Sequence, residues 1–139
     1  MTYEEKKEWL QRYKVARQLF GFRLQQLKTA KTDAGRTTQN ISPIPGGAGD
    51  GQALPRAVER IQEAEERVTA QAAICDETYE EIMAALNTLA DLCDRDILFR
   101  KYIKFQSRSE IMQGINLSRS AVLAHHRQAI ESLQVRGHD

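Results

Sequence analysis

The stretch SRSEIMQGINLSRSAVLAHHRQAIESL, residues 107–133, decides the fold of this chain. It divides into a short helix, a tight turn at Asn116-Leu117, and a longer helix that Ser118 is placed to cap. Asn116 suits the turn because its short side chain tolerates the left-handed backbone conformation. The apolar residues predicted to hold the two helices together are Ile111, Ile115, Leu117 and Val122. The pattern predicts a helix-turn-helix.

The second helix of this stretch presents two different faces. The residues predicted to face inward are Val122, His126, Ala129, Ile130 and Leu133. Those predicted to face outward are Arg119, Ser120, Leu123, Arg127 and Glu131. If the helix enters a major groove, we expect Arg119 and Ser120 to contact base edges and Leu123 a thymine methyl group. The side chains expected to contact phosphates are Lys101, Lys104, Arg108, Ser118 and Arg127.

A further helix is predicted just before the helix-turn-helix, with Asp91 or Asp94 as its cap. Its apolar face consists of Ile97, Leu98, Tyr102 and Ile103. The basic residues expected to stay outside are Arg95, Arg100, Lys101 and Lys104. Residues 91–134 are therefore predicted to form a trihelical unit for DNA binding, followed by a short tail at 135–139.

A long heptad pattern precedes this unit, over residues 54–90. Its members are Leu54, Val58, Ile61, Glu65, Val68, Ala72, Cys75, Tyr79, Ile82, Leu86 and Leu89. Only Glu65 departs from the apolar rule, so the pattern predicts a helix supercoiled against a partner. The partner is either the first helix or a second copy of the chain, which would make a homodimer.

Residues 1–31 carry an amphipathic pattern without proline and predict an N-terminal helix. Residues 32–53 contain five of the eight glycines and two of the three prolines, which predicts a flexible connector. The fold class expected is all-α: a long helical hairpin, resembling a coiled-coil stalk, followed by the trihelical helix-turn-helix unit.

The formal net charge of +1 conceals a strong segregation of charge along the chain. Residues 1–54 have a net charge of +4, residues 55–94 of −7, and residues 95–139 of +4. Opposite charges on the first two segments favour their pairing as antiparallel helices. A basic last third favours contact with nucleic acid.

Several classes of protein are not expected. No apolar run is long enough to cross a membrane, and the charged start MTYEEKKEWL does not resemble a signal peptide, so a cytoplasmic location is expected. The GGAGDG cluster follows no strand and lacks the Gly-Lys-Ser/Thr ending of a phosphate-binding loop. Two thin helices offer no concave pocket for catalysis, so neither an enzyme nor a cofactor is expected.

The cysteines and histidines do not predict a metal site. Cys75 and Cys93 are too far apart on a helical pattern to form a disulfide, and no CxxC pair exists. His125 and His126 are adjacent on a helix and point about 100° apart, so they need a third group to hold one ion. We expect no Asp/Cys cluster near them to supply it. We therefore expect packed or phosphate-contacting histidines.

The chain resembles the phage ArpU-like and RinA-like transcriptional regulators, whose C-terminal part is similar to region 4 of bacterial sigma factors. The matching positions are Ile97, Leu98, Lys101, Tyr102, Ile103, Glu110, Ile111, Leu117, Ser118, Val122, His126, Ala129 and Ile130. The positions that depart from the family pattern are Arg108, Met112, Asn116 and His125, and Lys101 matches it in charge but stands where arginine is usual. The resemblance extends over nearly the whole chain and implies a late-gene activator that binds double-stranded DNA in the bacterial host cell.

Two other interpretations fit the same pattern. A phage DNA-packaging subunit similar to a small terminase also combines a helix-turn-helix with a coiled-coil oligomerisation element. An adaptor that binds RNA polymerase without contacting DNA would use the trihelical unit as a protein-binding surface. RNA polymerase is also an expected partner of the regulator itself.

Overall fold

A computed structural model describes residues 1–39 and 51–136, with side chains as far as Arg36 in the first range. The helices are α1 (Tyr3–Gln39), α2 (Ala53–Leu86), α3 (Leu92–Leu98), α4 (Arg108–Ile115) and α5 (Arg119–Ser132). A π-helical turn, Phe99–Ile103, continues α3. The described ranges contain no strand, so the all-α prediction is confirmed. None of these helices combines the length and the apolar character needed to cross a membrane.

The first helix is longer than the sequence indicated. Helix α1 reaches Gln39, eight residues beyond the predicted end at 31, so the first part of the connector predicted over 32–53 is helical. Thr32 donates a hydrogen bond from Oγ1 to the carbonyl of Lys28, as helical Thr side chains do, and no proline precedes residue 43. Residues 40–50 of the connector and 137–139 of the tail lie outside the described residues.

The chain divides into two compact units. Residues 18–74 form the first, here called the two-helix unit. Residues 1–17 and 75–139 form the second, here called the helix-turn-helix unit. The beginning of α1 therefore belongs with the C-terminal helices, which differs from the predicted division at residues 31 and 91. The contacts of α1 with α2 and α5 described below are the reason.

Within the two-helix unit, α2 buries a different stripe from the one predicted. Its buried residues are Ala57, Ala64 and Gln71, whereas the predicted Leu54 and Val58 are 42% and 46% exposed. Glu65 is exposed, and its neighbour Ala64 takes the covered position. Burying an unpaired carboxylate costs several kcal/mol, whereas alanine is buried at no such cost. The predicted stripe was therefore wrong by one residue at every second position, since Ala57 is buried in place of Val58 and Ala64 in place of Glu65.

The helix-turn-helix unit has its larger core where α1, α2 and α5 meet. Its fully covered residues include Leu10 from α1, Ile82 and Leu86 from α2, and Ile130 from α5. Two contacts show that α1 and α2 run antiparallel here. Arg12 pairs with Glu81 at 2.8 Å, and the ring of the next residue, Tyr13, lies 5.7 Å from the ring of Tyr79, which precedes Glu81. The predicted inward face of α5 is confirmed, since each of its five members is buried.

A smaller core holds α4 and α5 together. Ile97, Ile111 and Val122 are buried in it, and partly buried side chains pack around them. Those partly buried side chains are Cys93, Met112, Ile115 and Leu117. All four residues predicted to hold the helices of the helix-turn-helix together lie in this cluster, which confirms that prediction.

The turn and the caps of the helix-turn-helix have the predicted chemistry. Asn116 adopts the left-handed conformation, with φ 55° and ψ 48°. Ser118 Oγ accepts a hydrogen bond from the amide of Ala121, and Asp91 caps α3 in the same way. A capping box that joins Ser107 and Glu110 starts α4.

A second left-handed residue, Phe105, connects the π-helical turn to α4. Its φ is 56°, and a bulky side chain rarely adopts this conformation. The ring stacks on Tyr13 of α1 at 5.7 Å, and the amide of Gln106 donates to the carbonyl of Arg100. These contacts hold the chain in a conformation that the sequence did not predict.

The left-handed conformation of Asn116 makes the stability of the unit depend on which residue occupies this position. Asn116→Ala is expected to lower the free energy of unfolding by about 1–2 kcal/mol, because alanine keeps the Cβ that crowds the following carbonyl oxygen but lacks the short polar side chain with which asparagine tolerates this conformation. Asn116→Gly is expected to change it little, since glycine has no Cβ. Urea denaturation followed by circular dichroism measures both. Equal stability of the alanine and glycine variants would contradict the role of the backbone conformation.

One polar pair is buried in the core between the π-helical turn and α5. Tyr102 Oη lies 2.9 Å from His126 Nε2, and the two residues are 4% and 8% exposed. Burial, together with the charges of Lys101, Lys7 and Arg108, lowers the pKa of His126 to about 4. Burial also raises the pKa of Tyr102. The imidazole is therefore neutral at pH 7 and shares one hydrogen bond with the hydroxyl of Tyr102.

This pair makes stability depend on pH. Because the pKa of His126 lies below the ordinary 6.5, the unfolded chain binds a proton first as the pH falls. The free energy of unfolding is thus expected to fall by about 2 kcal/mol between pH 7 and pH 5. In the double variant Tyr102→Phe/His126→Leu, which leaves no unpaired polar partner, this fall should vanish. Denaturation curves at the two pH values test it, and an unchanged pH slope in the variant would contradict the assignment.

Candidate nucleic-acid interface

The N-terminal end of α5 is exposed and carries the predicted base-reading residues. Ser118 is the N-cap, and its hydroxyl oxygen also lies 3.3 Å from that of Ser120. Arg119 and Ser120 are exposed, and Leu123, one turn later, is 42% exposed. The amides of the first helical turn and the helix dipole favour an anion at such an end. This end of α5 is thus open to a ligand in front of the helix.

A groove of about 230 Å³ lies beside α5. Residues of α3, the π-helical turn, α4 and α5 line it: Ile97, Lys101, Gln106, Ser107, Arg108, Ile111, Val122, Leu123 and His126. Its walls combine buried aliphatic side chains with two exposed basic ones, Lys101 and Arg108. Three of the predicted DNA-binding residues, Lys101, Arg108 and Leu123, are therefore brought together.

Lys7 of α1 adds a third positive charge to this region. Burial lowers the pKa of Lys101, and the nearby charges of Lys7 and Arg108 lower it further. Mutual repulsion of this kind identifies a cluster of like charges that a bound anion would relieve. We call Lys7, Lys101 and Arg108 the basic cluster. Sequence reasoning missed Lys7, because no local pattern connects it with residues more than 90 positions away.

An aromatic ring links the basic cluster to Arg127. The ammonium of Lys7 lies 5.5 Å from the ring centroid of Tyr3, and the guanidinium of Arg127 lies 5.7 Å from the same centroid. Arg127 also pairs with Glu131 at 3.1 Å. Both Arg127 and Glu131 are exposed, so the pair is weak and leaves Arg127 able to meet a phosphate.

Lys104 is placed differently from Lys101. Its ammonium lies 5.6 Å from the ring centroid of Phe99, and it is absent from the described residues that line the groove. It is exposed, as predicted. The structure therefore brings Lys101 and Arg108 together but does not place Lys104 beside them.

Two other basic residues were predicted to stay outside and instead turn inward. Arg95 donates a hydrogen bond from Nη2 to the carbonyl of Leu89 at 2.7 Å, after the end of α2. Arg100 pairs with Asp96 at 3.0 Å and packs so closely against Gly114 that a Cβ there would overlap its guanidinium. Their charges satisfy the protein's own acceptors, so neither belongs to the candidate interface.

His125 has partners that sequence spacing did not reveal. Its Nδ1 lies 2.7 Å from Oδ1 of Asp94, which is 2% exposed, and Gln128 donates to the other oxygen of that carboxylate at 3.1 Å. One ligand atom each from Asp91, Cys93 and His125 lies within 4.8 Å of the others. The expectation that no Asp/Cys group accompanies the histidines was therefore wrong, because α3 packs directly on α5.

Comparisons of the chain with protein-family models, with curated proteins and with solved structures found no match.

Proposed function

We propose that the chain is a DNA-binding transcriptional regulator of a phage or prophage, acting in the cytoplasm of the bacterial host. The observation that carries the proposal is the exposed, serine-capped N-terminal end of α5, followed by Leu123, which lines one groove with Lys101 and Arg108 of the basic cluster. A helix-turn-helix docks this end of its second helix in the major groove, with basic side chains on the flanking phosphates. The resemblance to ArpU-like and RinA-like regulators points to the same function.

Docking would begin with contacts to the phosphates and continue with contacts to the bases. Lys7, Lys101 and Arg108 attract the phosphate backbone, which releases counterions and sets the register of the protein on the duplex. Arg119 then reaches a guanine edge, Ser120 a neighbouring base, and Leu123 a thymine methyl group. Arg127, Ser118 and Lys104 supply further phosphate contacts around the same helix. A late-gene activator would bring RNA polymerase to the site as its second partner.

Replacement of Arg119 tests the base-reading role. Arg119→Ala is expected to weaken binding to the preferred site by roughly 1–3 kcal/mol and to relax the preference at one base pair. Arg136→Ala removes the same charge from the residues that follow α5 and serves as the control. Selection from a random duplex library, followed by affinity measurement, reports both. If the preference stays unchanged, Arg119 does not read a base.

The salt dependence of DNA affinity tests the phosphate contacts of the basic cluster. Lys7→Ala and Lys101→Ala are each expected to weaken binding to specific and random DNA alike, because each removes one phosphate contact. The slope of log affinity against log salt should fall by about 0.9 for each variant. Lys31→Ala, which lies in the two-helix unit, is the matched control. A slope as steep as that of the unchanged chain would place these lysines off the DNA.

The whole proposal is tested with the full chain on fragments of its own genomic neighbourhood and on random duplexes. Selective binding that weakens between ~50 and 200 mM salt, by a monomer or a dimer, supports the regulator. A large ring in a parallel mass measurement would favour the packaging subunit. Binding to RNA polymerase without affinity for DNA would favour the adaptor. Mass also reports whether α2 pairs with a second copy.

A further inference from the structure

Three different kinds of metal ligand converge between α3 and α5. The carboxylate of Asp91 and the thiol of Cys93 come from the start of α3, and the imidazole of His125 comes from the middle of α5. Each ligand atom lies within 4.8 Å of the other two. Ligands of a tetrahedral zinc ion at ~2.0–2.3 Å are about 3.5 Å apart. Small side-chain rotations would close that difference.

The group that faces His125 prepares it for a metal. Nδ1 of His125 lies 2.7 Å from Oδ1 of Asp94, and in the tautomer that carries its proton on Nδ1 the other nitrogen, Nε2, is the one that can bind a metal. Metal-binding histidines almost always donate their other ring N–H to a carboxylate, a backbone carbonyl or water that does not itself touch the ion, and Asp94 would be such a carboxylate. Asp94 is buried and also held by Gln128, so its position does not depend on a metal.

The cap of α3 leaves a carboxylate oxygen for the ion. Asp91 Oδ1 accepts hydrogen bonds from the amides of Cys93 and Asp94, at 2.8 and 3.1 Å. These bonds hold the carboxylate in place and leave its other oxygen, Oδ2, to bind the metal ion. The same turn sets Cys93 two residues from Asp91, where its half-buried side chain packs against the smaller core.

We propose that Asp91, Cys93 and His125 bind one zinc ion, with Asp94 as the positioning residue for His125. The sulfur, nitrogen and oxygen set suits Zn²⁺ and not Mg²⁺ or Ca²⁺, which require oxygen ligands. The thiolate and the carboxylate together balance the two charges of the ion. Three protein ligands leave a fourth position for water. The ion ties the start of α3 to α5 and stabilises only the folded unit.

Cobalt provides the test because its spectrum reports the ligands. The full chain, purified with a chelator, is titrated with Co²⁺. One equivalent is expected to produce visible bands of a tetrahedral ion and a near-ultraviolet band from a thiolate bond. Zn²⁺ should abolish both and raise the melting temperature, and Mg²⁺ should do neither. Absence of the thiolate band would overturn the proposal.

Matched variants identify the ligands. Cys93→Ser should remove the thiolate band and His125→Gln should abolish tight binding, whereas Cys75→Ala, at the buried second cysteine, should leave the spectrum unchanged. Asp94→Asn should weaken Zn²⁺ binding about 10- to 100-fold, measured by competition with a chromophoric chelator. Far-ultraviolet circular dichroism checks that each variant is folded. A thiolate band that survives Cys93→Ser, or disappears in Cys75→Ala, would contradict the assignment.

Discussion

The hydrogen bonds that His125 and Gln128 donate to the carboxylate of Asp94 determine where α5 lies against α3. Asp94 is 2% exposed, and leaving such a carboxylate without partners would cost several kcal/mol. Both partners lie on α5, one turn apart. A slip of α5 by one residue would separate them from Asp94, so the carboxylate accepts only one register. The outward direction of Arg119 follows from that register, because it lies on the same rigid helix.

Adjacent histidines hold α5 on two sides. His125 bonds to α3 through Asp94, and His126, about 100° further around the helix, bonds to Tyr102 of the π-helical turn. Helix α5 is thereby fixed in rotation as well as in register. The groove that α5 forms with the π-helical turn depends on both contacts, since Lys101 and Leu123 line it from the two sides.

Features decided by short-range chemistry were predictable. Asn116 in the left-handed turn and Ser118 at the N-cap each follow from what one side chain does to its own backbone, and the structure has them as predicted. Features decided by distant neighbours were not. Phe105 keeps its conformation through the ring of Tyr13, and Lys7 joins the basic cluster from another helix. Ala64 lies on the buried stripe in place of Glu65, because burying a carboxylate costs free energy. The spacing of hydrophobic residues takes no account of that cost.

The core of the helix-turn-helix unit joins segments from the two ends of the described chain. Leu10 packs in the same cluster as Ile130 and Leu133, so these contacts close a loop of more than 100 residues. During synthesis on the ribosome α4 and α5 emerge after the other described helices, and until then the apolar face of residues 1–17 has no α5 to cover it. Completion of this unit therefore waits for the synthesis of α5, and a chain interrupted before α5 leaves Trp9 and Leu10 without their neighbours on α5.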